Sequence, residues 1–153
     1  ISGNTTITAA SSDVLTVNRT GSDGTVVSIR NDGTEVGTIN VSGSSTSYNT
    51  SSDYRLKENV TDMTEALSRV NQLQPKRFNF IADDTDTLVD GFLAHEVSDI
   101  VPEAITGTKD EVDADGNPVY QGIDQAKLVP LLVKAIQEQQ AQIEALQEQI
   151  NNI

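Results

Sequence analysis

The chain has 153 residues, 23 acidic against 10 basic side chains, a net charge of −13 and no cysteine. The scattered lysines and arginines exclude a phosphate-binding footprint and with it a nucleic-acid partner. No apolar run approaches membrane-spanning length, and without cysteine there is no disulfide framework or thiolate zinc site.

Apolar residues make up 36% of the chain and aromatics 4%, a thin basis for a core, so oligomerisation is expected to supply part of the stability. The start at Ile1, without an initiator Met or a basic and apolar leader, reads as the C-terminal piece of a longer protein. Five Asn-x-Ser/Thr matches, at Asn4, Asn18, Asn40, Asn49 and Asn59, are what chance gives in a chain so rich in Ser and Thr.

Residues 1–52 are rich in Ser, Thr, Gly and Asn, with short apolar alternations at 14–17 (VLTV), 25–29 (TVVSI) and 35–41 (EVGTINV). Turn signals separate them, GSDG at 21–24 and NDG at 31–33, which predicts short strands and hairpins. A Ser/Thr-rich linker is the competing reading of this composition. Each strand is too short to bury a core alone, so the preferred reading is a β-stem in which several chains cover one another's apolar faces.

The composition turns to helix formers at Asp53. Met63, Ala66, Leu67, Val70 and Leu73 recur at helical spacing, which predicts a helix over 61–74 opening at Thr61 and stopped by Pro75. Residues 76–81 (KRFNFI) alternate like a strand, 83–86 (DDTD) form a turn, and 87–94 return as a strand. The stretch HEVSDIVP predicts a short helix ended by Pro102. An Asp115-Gly116 turn between Val112 and Val119-Tyr120 predicts a β-hairpin. That loop fits a calcium site poorly, because Glu111 and Gly122 fall where the first ligand and the bidentate Glu belong. No metal site and no cofactor is expected.

Leu132, Ile136, Gln139, Ile143, Leu146, Ile150 and Ile153 are spaced 4-3-4-3-4-3, a heptad seam with Ile at a and, at d, Leu132 and Leu146 beside Gln139 and Ile153. A helix over 125–153 would be roughly 43 Å long, at about 1.5 Å per residue, with little of it facing its own small domain. Such a helix needs parallel partner helices, and the seam alone leaves their number open.

The Ser-Asp pair occurs twice, at Ser12-Asp13 and Ser52-Asp53, and only the second is followed by a basic cluster, Arg55 and Lys57. Serine is a poor nucleophile without a base, and lysine serves as one only where burial or a neighbouring cation favours its neutral form. Ser52 and Lys57 are five apart, which permits contact if the chain turns once between them, and Arg55 is a candidate for the neighbouring cation. On the spacing alone an ordinary basic surface loop is the better account, because Ser and Lys are common surface residues.

SSDYRLKENV at 51–60, then an amphipathic helix, QPKRFNF, GFLAHEV, VPEAI and IDQAKLVPLLVKAIQEQ, in that order, resembles the self-cleaving C-terminal intramolecular chaperone domain of bacteriophage tailspikes and tail fibres. The resemblance covers 52 to about 145. It implies an α+β protein: an intertwined N-terminal β-stem over 1–52, then a small mixed α/β chaperone domain over 53–153 whose residues 124–153 form a coiled-coil helix. It further implies a homotrimer, with the preceding tail-fibre stem as folding client. It implies release by a single-turnover Ser-Lys peptidase, with Ser52 and Lys57 catalytic and Ser52-Asp53 the cleaved bond. Arg55, Glu58, His95 and Glu96 are then supporting residues, with His95 more readily placed in packing or a subunit contact than in catalysis. The stem would belong to the virion tail, and the chaperone domain would act in the bacterial host cytoplasm and be released.

The chemistry leaves the nucleophile open. Attack by Ser52 on its own carbonyl closes a strained four-membered ring, and attack on the preceding carbonyl breaks Ser51-Ser52 instead. Cleavage at Ser52-Asp53 therefore calls for water, the Asp53 carboxylate or the Ser52 hydroxyl of another subunit. The alternatives are a non-proteolytic trimeric fibre cap or adhesin stem, and the trimerising self-cleavage module of a membrane-tethered transcription factor, against which the fibre-like N-terminal stretch speaks.

Overall fold

A computed structural model describes residues 5–10 and 13–153; Asn4 and Ser12 lie outside the described residues. The chain divides into two compact units, Ile1–Val60 and Thr61–Ile153.

The first unit carries a three-stranded antiparallel meander, β1 (Gly24–Asn31), β2 (Thr34–Ser42) and β3 (Ser45–Thr50). The β1–β2 connection is the two-residue Asp32-Gly33, with φ of 46° and 81°, the left-handed pair that a type I′ hairpin requires. The β2–β3 connection opens on Gly43 at φ 54°. Pairing of Val27 with Ile39 and of Ile39 with Tyr48 puts these side chains on one face, joined by Ile29 and Val41 through the period-two alternation. That face is poorly covered within one chain: Ile29 is 52% and Tyr48 81% exposed. A Cβ on Gly37 would meet the Asn49 carbonyl oxygen at 2.9 Å, so the close pairing of β2 with β3 depends on glycine there.

Two of the sequence expectations change here. The expected strand at Val14–Val17 has no ladder partner among the described residues, and its apolar side chains are exposed; alternation provides an apolar face without supplying a strand to pair with. β3 arises from a Ser/Thr/Asn run without apolar alternation, because the Gly43 turn folds it back onto β2.

The second unit is an α+β assembly of very small sheets and one long helix. Its elements are α1 (Ala66–Val70), β4 (Lys76–Phe78), β5 (Val89–Gly91), α2 (Ala94–Val97), β6 (Ile105–Thr106), β7 (Gly122–Ile123) and α3 (Val129–Asn151). β4 pairs with β5 and β6 with β7, both antiparallel. The Asp-Gly hairpin is present in minimal form, with a single Val112–Pro118 bridge and the Val119 N–H donating to the Glu111 carbonyl at 2.8 Å. Pro102 opens a 3₁₀ turn, Pro102–Ala104, where its missing N–H costs least.

α1 starts at Ala66 rather than Thr61, because Glu65 takes a left-handed backbone (φ 58°) that helix cannot continue through. Thr61 caps nothing. The Glu138 carboxylate from α3 accepts the N–H groups of Ala66 (3.3 Å) and Leu67 (2.8 Å) instead. These two bonds hold the Glu138 carboxyl below its usual range, with the Lys134 ammonium adding to the effect.

Ala66, Val97, Val101, Ala104, Leu128, Leu131 and Ala135 form the buried core. Met63, Leu67, Val70 and Leu73, the predicted apolar face of the first helix, pack against it. α3 thus uses Leu131, Ala135 and Glu138 toward its own unit. The heptad seam lies elsewhere on its surface and is open, with Ile136 65%, Leu146 57% and Ile150 68% exposed. The long helix expected over 125–153 is a 3₁₀ turn, Gln125–Leu128, running into the 23 residues of α3.

Candidate functional site

Ser52 sits between two anchored neighbours. On one side the Ser51 N–H donates to the Val36 carbonyl (3.1 Å) and its hydroxyl to the Glu35 carbonyl (3.2 Å), fixing the residue to β2. On the other, Asp53 is extended (φ −63°, ψ 137°) and caps a single 3₁₀ turn, Tyr54–Leu56, by accepting the Arg55 N–H at 2.9 Å. The Leu56 N–H then donates to the Asp53 carbonyl and the Lys57 N–H to that of Tyr54, both at 3.1 Å.

This one turn reverses the chain between Ser52 and Lys57. The Lys57 Nζ donates to the Ser52 Oγ at 2.7 Å, so the contact that the five-residue spacing only permitted is made. Both residues are exposed in the single chain.

The Arg55 guanidinium closes as a fork on Asp53, Nε to Oδ1 at 2.9 Å and Nη2 to Oδ2 at 2.7 Å. The fork, the backbone N–H of Arg55 and the nearby Lys57 charge hold the Asp53 carboxyl below the usual range, and Asp53 in turn raises Arg55. Arg55 is therefore half of a neutral pair, and the neighbouring cation expected of it is spent on Asp53. Glu58 is exposed and makes none of the side-chain bonds that build the turn.

His95 and Glu96 lie on α2 in the other unit. His95 is half-buried, and its carbonyl accepts the Ser98 hydroxyl at 2.9 Å. Glu96 faces Lys76 at 3.5 Å, tying α2 to β4. Both have local packing partners within Thr61–Ile153.

Sequence reasoning missed two contributors. Glu138 lies 71 residues from the Leu67 N–H that it accepts, and no local pattern marks such a cap. Ser51 was given no role of its own, and its tether to β2 depends on β3 returning along that strand. In the Asp113 loop the carboxylate is taken up by the N–H groups of Asp115 and Asn117, both at 2.9 Å, and by the Asn117 amide. Among the described residues no group of three or more His, Asp or Glu side chains is placed to hold a metal ion, and no helix is long and apolar enough to cross a membrane.

A chemical consequence follows from the turn. A serine hydroxyl bonded to an amine, flanked by a carbonyl group and open to water, has the parts of a Ser-Lys hydrolytic site. What the single chain lacks is the desolvated or cation-flanked setting in which a lysine acts as base.

A search of curated proteins found no match. Residues 52–106 match the model of a peptidase family described as "Chaperone of endosialidase". The match opens on Ser52, takes in the Ser52–Lys57 turn and ends in β6; residues 107–153, with α3 and its seam, lie outside it. Over residues 52–106 the chain is therefore similar to the endosialidase-type chaperone family, the stretch in which its motifs from SSDYRLKENV to VPEAI fall.

Proposed function

We propose that residues 53–153 are a trimerising intramolecular chaperone that assembles a tail-fibre or tailspike β-stem, of which residues 1–52 are the distal end, and then releases itself by cutting Ser52-Asp53. The observation that carries this reading is the 2.7 Å bond from the Lys57 Nζ to the Ser52 Oγ at the first residue of the family match.

Two uncovered surfaces support the assembly. The seam of α3 is apolar, periodic and exposed, and a coiled coil of identical helices would cover it. The Val27-Ile39-Tyr48 face of the meander is open at Ile29 and Tyr48 and half-covered at Val27 and Ile39, and would be covered by stems of neighbouring chains. Stem strands have weak registry, because a slip of one residue turns every side chain to the wrong face, and non-local pairing nucleates slowly. A coiled coil would gather the chain ends first and raise their effective concentration. Release then removes the route by which the stem folded, so its persistence becomes kinetic. In this reading the trimer supplies the desolvation that Lys57 needs, the stem belongs to a phage tail, and the released domain works in the host cytoplasm.

A second reading, a non-proteolytic trimeric cap or adhesin stem, is favoured by the exposure of Ser52 and Lys57 in the single chain. Intact mass and denaturing gels of freshly expressed chain beside Ser52→Ala and Lys57→Ala decide between them. The chaperone-peptidase reading expects fragments ending at Ser52 and beginning at Asp53, abolished by either substitution. An uncut wild-type oligomer would leave the cap.

A further inference from the structure

We infer that Asp53 and Arg55 are a positioning pair that holds the Ser52–Lys57 contact, and that the Asp53 carboxylate is not the group that attacks the Ser52 carbonyl. This rests on the proteolytic reading above and narrows its chemistry.

The geometry gives Asp53 three donors: the Arg55 N–H and Nε on Oδ1, both at 2.9 Å, and Nη2 on Oδ2 at 2.7 Å. Both oxygens are engaged. To attack the carbonyl of Ser52 through a six-membered ring, one oxygen would have to leave a bidentate, charge-assisted pair, the strong kind of hydrogen bond. One of the three, from the Arg55 N–H, caps the only turn between Ser52 and Lys57, and the two fork bonds hold the carboxylate in that position, so the pair does its work on the backbone. Asp53 fixes where the turn starts, and Arg55 fixes Asp53. Lys57 leaves the turn at ψ 142° with its amine directed back to Ser52.

The pair also excludes the electrostatic role that its sequence position suggested for Arg55. A guanidinium neutralised by its own carboxylate contributes little net field at the Lys57 amine. Arg55 thus acts through Asp53, and the reaction keeps the Ser52 hydroxyl of a neighbouring chain, or a water, as its attacking group. The overall step is hydrolysis: water adds across Ser52-Asp53, leaving a carboxylate on Ser52 and a free α-amino group on Asp53.

The test is the rate of fragment appearance as the full chain refolds from denaturant, followed by gel and intact mass across pH. Wild type is run beside Ser52→Ala, Asp53→Asn, Asp53→Ala, Arg55→Ala and Arg55→Lys. Asn caps a turn as well as Asp and still accepts one guanidinium donor, so Asp53→Asn is expected to cut within about tenfold of wild type. Asp53→Ala and Arg55→Ala are expected to slow by roughly a hundredfold, the scale of a misplaced reacting group. Arg55→Lys, which cannot fork, should fall nearer Arg55→Ala than wild type. Removing Arg55 alone frees the Asp53 carboxylate beside Lys57, so the pH control is the double variant Asp53→Asn/Arg55→Ala, which loses both charges and should slow evenly at every pH with the half-maximal pH unmoved.

Asp53→Asn as inactive as Ser52→Ala would overturn the inference by making the carboxylate a chemical participant. So would Arg55→Ala at the wild-type rate, or an Asp53→Asn/Arg55→Ala profile displaced to higher pH, the mark of a lost neighbouring cation. An uncut wild type removes the proteolytic reading itself and this inference with it, whereas a cut wild type with an indifferent Arg55→Ala removes only the pair.

Discussion

Lys57 reaches Ser52 because three residues between them form a single 3₁₀ turn, and arginine at position 57 tests what that reach is for. A guanidinium keeps the positive charge and can still donate to the Ser52 Oγ, but it does not deprotonate and has no acceptor. Lys57→Arg is therefore expected to preserve assembly while reducing fragment yield to the level of Ser52→Ala, measured by gel on the assembled protein. Cutting by Lys57→Arg at even a tenth of the wild-type rate would assign the lysine to binding rather than base chemistry. At this scale the sequence was informative but incomplete. A spacing of five is neutral between contact and separation until something fixes the turn. The fixing signal was there in the letters, an Asp at the cap position with an Arg two residues on, but it acquires meaning only once the backbone bends enough for one side chain to bond both the N–H and the guanidinium.

Elements were legible where periodicity carried them and not where tertiary partners did. The apolar set Met63 to Leu73 was readable as one face, and that face packs on the core; the helix start was not, because its cap comes from Glu138 on α3. Likewise β3 has no apolar alternation to announce it, and Val14–Val17 has alternation without a partner. Glu138 offers the prediction at this scale. Its carboxyl is held low by the Leu67 and Ala66 N–H groups, so its contribution is present above the unfolded-chain value of about 4.3 and is lost as pH falls through the lower folded value. Glu138→Gln keeps an acceptor and should remove the part of the acid destabilisation below about pH 4.3 that comes from this group. Glu138→Ala leaves the first N–H groups of α1 without their partner and should lower the denaturant midpoint at pH 7 as well. Urea titrations at pH 3 and pH 7 check both, and equal midpoints for wild type and Glu138→Ala at pH 7 would count against the cap.

For the whole molecule, on the proposed reading, the two faces of α3 separate folding from assembly. Leu131 is 2% exposed within its own unit, so Leu131→Ala is expected to cost about 2–5 kcal/mol of folding stability, as buried leucines do. Ile143 sits on the seam, 43% exposed, and makes no part of the unit's core. Ile143→Asp should leave the circular dichroism of the chain close to wild type while shifting sedimentation from oligomer to single chains, and should slow fragment release if the cut depends on assembly. A monomeric wild type at tens of micromolar would remove the coil from the reading. The division was visible in the sequence as a heptad, but not which flank of the helix would be kept at home.

The Glu138 cap also sets a timetable for synthesis. Ala66 leaves the ribosome 72 residues ahead of the carboxylate that bonds it, a wait of roughly 4–14 s at about 5–20 residues per second. Throughout that interval Ser52, Asp53 and Lys57 are already made, while the helix that completes the second unit is still being translated. On the proposed reading a nascent chain therefore carries the Ser52–Lys57 turn before its foldase is finished, and only the dependence of the cut on assembly stands between an unassembled stem and a premature cut.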